Sequence, residues 1–129
     1  MTTSPWPNFS LVELRCKCGH CGSDGREMDT AFMERLQQLR TAFGKPIKLS
    51  SAYRCPKHPV EAKKAAPGEH CTGKAVDIAI RGPEAVELLR LALDLGFTRI
   101  GISQKGAARF IHLGTSAGGR FPSPALWSY

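Results

Sequence analysis

Lys74-Ala75-Val76-Asp77-Ile78-Ala79-Ile80 is the stretch on which the fold turns. Branched apolar residues at 76, 78 and 80 alternate with small or acidic ones, the two-residue period of a strand with one face in a core. Ala75, Asp77 and Ala79 share the other face, where small neighbours leave room for something to approach the aspartate. An unpaired carboxylate among apolar strand residues is costly, so Asp77 needs a partner.

Upstream, Gly73 allows a tight bend into this strand. Residues 54–68 hold three prolines and a glycine and read as mostly loop. Ile47 and Leu49 alternate with polar neighbours, which predicts a strand over 46–51. Before it lies the clearest helix, with Asp29 or Thr30 as cap and Phe32, Leu36, Leu39 and Phe43 at helical spacing. Gly44 stands at its stop position, with Pro46 beyond. Downstream, Pro83 opens a second helix and Gly96 closes it. Its Val86, Leu89 and Leu93 suit packing against a sheet. Thr98 to Ile102 and Arg109 to Leu113 read as two further strands, joined by a turn around Lys105-Gly106; Phe110 and His112 oppose Ile111 and Leu113. The tail from Phe121 to Tyr129 is too apolar to be a simply solvated end and is expected to pack back. Residues 1–10 read as an irregular lead-in around Trp6. One domain over 1–129 is expected, of α+β class, with an antiparallel sheet and helices packed on one side.

The 129 residues suffice for one core, and the formal charge of +7 favours polyanionic partners. The basic residues are scattered and no aromatics interleave with them, which argues against a specific nucleic-acid reader. No apolar run approaches the roughly 20 residues that span a bilayer, so membrane insertion is not expected. The first ten residues lack the basic start and apolar stretch of a secretory signal. The expectation is a protein made in the cytoplasm that reaches any substrate outside it by another route, such as lysis of the host. A monomer is expected. Five cysteines is an odd number, which fits a reducing site of synthesis better than a disulfide scaffold.

Catalytic zinc commonly takes His and carboxylate ligands and keeps one position open. His70 precedes the Asp77 strand, and His112 stands on the non-core face of a later strand. If those strands are neighbours, His70, Asp77 and His112 converge above the sheet. Cys16-x-Cys18-x-x-Cys21, with His20, could bind a second, structural metal if Cys55, Cys71 or His58 approaches in space. The alternative is reduced or partly disulfide-bonded cysteines.

His70-Cys-Thr-Gly73-Lys-Ala-Val-Asp77 resembles the H-x-x-G-x-A-x-D signature of the M15 zinc peptidases, the D-Ala-D-Ala carboxypeptidases and related endolysins. Ser51-Ala-Tyr53-Arg54 is similar to the family's S-x-Y-R element, and Phe110-Ile-His112-Leu to the strand bearing the third ligand. The resemblance implies a small hedgehog/D,D-peptidase-like fold and one catalytic Zn2+ on His70, Asp77 and His112. It also implies hydrolysis of peptidoglycan stem or cross-link peptides at or next to D-amino acids. Arg54 resembles the family arginine that meets the substrate carbonyl or carboxylate. Ser51 and Tyr53 then belong to the substrate-binding loop, and Trp127 either walls the groove or packs in the core.

Two departures stand out. The acid that many members carry three residues before the last ligand is Arg109 here, which cannot take a proton at neutral pH. The aspartate that some relatives carry two positions after that ligand is Gly114. Glu69 is the nearest acidic substitute in sequence, with a solvated loop residue as the plainer alternative. The competing function is a zinc-containing wall-binding module with impaired catalysis.

Overall fold

The computed structural model describes residues 4–129. In chain order the elements are α1 (Leu11–Leu14), α2 (Thr30–Phe43), β1 (Leu49–Ser51), α3 (Pro59–Ala62), β2 (Ala75–Ala79), α4 (Gly82–Asp94), β3 (Arg99–Ser103), β4 (Phe110–Gly114) and β5 (Ala125–Ser128). A 3-10 turn at Glu69–Thr72 leads into β2. The architecture is α+β, as the alternation pattern predicts. Trp6 and Phe9 of the expected lead-in are buried in the core; its first three residues lie outside those described.

Each long helix begins where its sequence dictates. The Asp29 carboxylate accepts the Phe32 amide at 2.9 Å, a cap worth about 1 kcal/mol. From there Phe32, Met33, Leu36, Leu39 and Phe43 form one buried stripe. Each such side chain contributes roughly 1.5–3 kcal/mol when fully buried. On α4 the buried stripe is Ala85, Leu88 and Ala92, while Val86 and Leu93 are exposed. Of the expected face Val86, Leu89 and Leu93, only Leu89 packs against the core, and the buried stripe is centred one residue away. Two alanines offer little apolar area but let α4 come close to α2 and the sheet, and apolarity alone does not set that phase.

The sheet order is β1-β2-β4-β3-β5. The β1–β2, β2–β4 and β3–β4 pairs are antiparallel; β5 runs parallel to β3. The tail thus packs back as expected, but as an edge strand parallel to its neighbour. Val76, Ile78, Ile100, Ile111 and Leu113 of the sheet join the helix stripes in one core. The expected loop over 54–68 contains the short helix α3, which His58 caps by accepting the Val60 amide on Nδ1 at 3.1 Å.

Candidate metal centre

The face of the sheet turned away from α2 and α4 carries the chemistry, and strand register builds it. Ser51 pairs with Asp77, Asp77 with His112, His112 with Gly101, and Gly101 with Trp127. One row therefore crosses all five strands. At Gly101 a Cβ would run into the Trp127 indole, so the missing side chain is what lets Trp127 lean inward. Its ring centroid stands 5.2 Å from that of His112.

His70 arrives from the 3-10 turn. Gly73 ends that turn at φ +76°, a left-handed conformation that L side chains adopt only under strain. A Cβ there would also strike the backbone of Glu27, Met28 and Asp29. The bend brings His70 Nε2 to 3.1 Å from Asp77 Oδ1, and the register brings His112 Nδ1 to 3.0 Å from the same oxygen. All three residues are at least nine-tenths buried.

The outer ring nitrogens reveal what this point requires. A carbonyl oxygen can only accept, so His70 Nδ1, 2.7 Å from Ala52 O, carries its ring's proton. His112 Nε2 lies 2.9 Å from Glu69 Oε1 and donates there. In neutral rings the inner nitrogens then hold lone pairs, and both face a carboxylate oxygen. Three electron pairs converge on one buried point and repel unless positive charge lies among them. The acid–base balance shows the same demand. Burial alone would lower the His112 pKa, but bonds to Asp77 and Glu69 outweigh it and raise it. Burial would likewise raise that of Asp77, yet bonds from His112 and His70 hold it well below the usual carboxylate range. A divalent cation meets the demand without two extra protons. Two imidazoles and a carboxylate, each imidazole tied by its far nitrogen to a carbonyl or carboxylate, form a donor set suited to zinc.

Glu69 reaches the centre through His112. It is 5% exposed, not a solvated loop residue. Its Oε1 also accepts from Arg99 Nε at 3.0 Å, and its Oε2 accepts the Ser116 amide at 3.0 Å. Burial works against its ionisation, but the His112 and Arg99 bonds prevail and its pKa is lowered. Any Cβ at Gly114 would overlap the Glu69 carboxylate, so the missing side chain there leaves room for it.

Arg54 stands beside Asp77. Its Nε donates to Ser51 Oγ at 3.0 Å, one terminal nitrogen to Glu61 Oε2 at 3.0 Å, and the other lies 3.5 Å from Asp77 Oδ2. Glu61 is 3% exposed; burial opposes its charge, but bonds from the Gly68 amide, Lys64 and Arg54 hold its pKa down at about 2. Glu61 and Arg99 were not anticipated from sequence, and no local signal marks them. Their significance comes from partners seven and thirty positions away.

These groups line a cleft of about 430 Å3, with Trp127, Phe110 and Tyr129 along one wall and Arg54, Lys64, Arg99 and Arg120 as its cations. Ser51 and Tyr53 do not line it. Ser51 acts by holding Arg54, and Tyr53 packs partly against the core and faces a separate recess with Arg15 and His58. Arg109 lies away from the cleft and donates to Gly106 O at 3.0 Å in the β3–β4 turn. Cys71, beside His70 in sequence, does not join the His70, Asp77 and His112 group.

The chain matches the family described as Peptidase M15 over residues 7–114. It has no match among curated proteins. No helix among the described residues is long and apolar enough to cross a membrane. A match over most of the length, agreeing with a donor set that strand register assembles, shows that the chain belongs to the Peptidase M15 family of zinc metallopeptidases.

Proposed function

We propose that the protein is a zinc-dependent peptidoglycan peptidase of endolysin type, cleaving stem or cross-link peptides at or beside D-residues. D,D-carboxypeptidase, D,D-endopeptidase and L-alanyl-D-glutamate endopeptidase activities all fall within this reading. The observation that carries it is the convergence of His70, Asp77 and His112 at the floor of a cleft lined by four cations and two carboxylates. Stem peptides carry carboxylates, and such a cleft attracts them. We place its action at the wall after release from the cytoplasm.

Zinc would supply Lewis acidity there, polarising the scissile carbonyl and making water nucleophilic near neutral pH. The chain does the rest. Arg54, held by Ser51 and Glu61, keeps guanidinium donors for a substrate carbonyl or carboxylate oxygen. Glu69 fixes the His112 ring by accepting from its Nε2, and Arg99 and Ser116 fix Glu69. With both oxygens bonded and its pKa lowered, Glu69 is a positioning residue rather than a general base. Trp127, backed by the Arg99 guanidinium 4.9 Å from its ring, walls the substrate groove.

A second reading is a wall-binding module with impaired catalysis. It is favoured by the cleft acids: among the described residues these are Glu69 and Asp77, and neither offers an oxygen free of partners. Incubating purified protein with peptidoglycan, with and without a chelator, separates the two. Released peptides identified by mass spectrometry should end at a D-residue bond and disappear with the chelator. Wall binding without any cleavage, zinc being bound, would establish the second reading and end the first.

A further inference from the structure

The sequence leaves Cys16-x-Cys18-x-x-Cys21 one ligand short of a metal site, and the fold provides the fourth. Cys55, at the start of the loop after β1, stands with the other three so that all four sulfurs lie within 4.8 Å of one another. Cys18 Sγ and Cys55 Sγ are 3.6 Å apart. Zinc–sulfur bonds of about 2.3 Å set the S···S edge of a tetrahedron at roughly 3.8 Å. We propose that Cys16, Cys18, Cys21 and Cys55 bind a second zinc ion as a structural tetrathiolate centre, separate from the His70, Asp77 and His112 site.

Three independent features support this. First, a backbone donor reaches the sulfur cluster: the Cys55 amide donates to Cys16 Sγ at 3.2 Å. A donor there stabilises thiolate over thiol. Second, Gly19 and Gly22 adopt φ of +85° and +73°, which lets Cys18 and Cys21 turn inward from one short loop. Third, the charge is compensated. Four thiolates on a divalent ion leave two net negative charges, and Arg15 and Lys17 border the same recess. Soft sulfur donors in tetrahedral array select zinc over hard cations.

The ion would lose no ligand to the hydrolytic site, since the two groups share no residue. It would tie the loop at 16–23 to residue 55, directly after Arg54. Four thiols lose their protons as the ion enters, and nothing is oxidised.

The test does not depend on peptidase activity. The full chain, purified under reducing conditions, should contain two zinc ions by elemental analysis and native mass spectrometry. Replacing zinc with cobalt should give the near-ultraviolet sulfur-to-cobalt charge-transfer band; the other centre contains no sulfur and cannot produce it. Cys21→Ser, at an exposed position, should lose one metal equivalent and that band while keeping the other ion. The wild-type measurements decide the matter even if the variant misfolds. One metal per chain with no charge-transfer band overturns the proposal, as does an intact mass showing these cysteines bridged as disulfides in freshly isolated protein. Two metals without peptidoglycan cleavage would sink the hydrolytic reading and leave this one standing.

Discussion

The cleft has two halves built in different ways. On the sheet side, Asp77, His112 and Trp127 occupy one row, and their spacing follows from strand pairing that the core residues between them enforce. On the loop side, Arg54, Glu61 and Glu69 come from segments with little apolar packing of their own, held by charged hydrogen bonds to partners far off in sequence. A one-residue slip in the sheet would turn Asp77 or His112 into the core, so the sheet half is specified strongly. The loop half depends on ion pairs, and the proposed thiolate centre would fasten it at Cys55. The rigid scaffold holds the donor atoms, and the charged clamp tunes and orients them.

Asp77→Ala strikes the sheet half and should have the largest effect. Peptidoglycan cleavage is expected to fall at least about 1,000-fold, several kcal/mol of transition-state stabilisation. Elemental analysis should show the loss of one zinc, with the circular dichroism spectrum preserved. Unchanged metal content in a folded variant would mean that the ligands are other residues.

Glu69→Gln probes the junction between the halves. An amide can still accept from His112 but cannot accept the Ser116 amide with its NH2 group, so a decrease of about 10–100-fold in kcat or metal affinity is expected, typical of a partner behind a ligand. Adding zinc should restore part of the loss. A far larger drop in kcat at full metal occupancy, with the acid limb of the pH profile gone, would make Glu69 the general base after all.

Glu61→Gln tests the loop half and should be mildest at neutral pH. The folded Glu61 pKa lies near 2 against an ordinary 4.5. A depressed carboxylate contributes stability that is complete above its unfolded value and lost as pH falls through the folded one. Wild-type stability should therefore drop between about pH 4.5 and 2, and the variant should show a flatter acid limb in chemical denaturation across that window. Near neutrality a few-fold rise in KM is expected as Arg54 loosens. An identical acid limb in both proteins would show that Glu61 does not hold the loop electrostatically.

Much of the sheet half is legible in the sequence. The alternation at 74–80 and at 109–113 places Asp77 and His112 opposite the core residues, and the structure agrees on both faces. The cap at Asp29 and the stop at Gly44 are local signals and fall where they read. The α4 phase is not legible, because Val86 and Leu93 are as apolar as the Leu88 that is buried, and only docking against α2 selects a stripe. The direction of β5 is not legible either, since an apolar tail carries no information about which edge it joins.

By itself the sequence determined the donor types, their order and the faces on which they stand, because hydrophobic period and short motifs act over a few residues. Tertiary structure alone decided that Glu69 backs His112, that Gly114 leaves space for it, and that Cys55 completes a set begun at Cys16. Each of these is a contact between residues tens of positions apart. Side-chain chemistry can state what such groups need, but only the packed backbone brings the partner within reach.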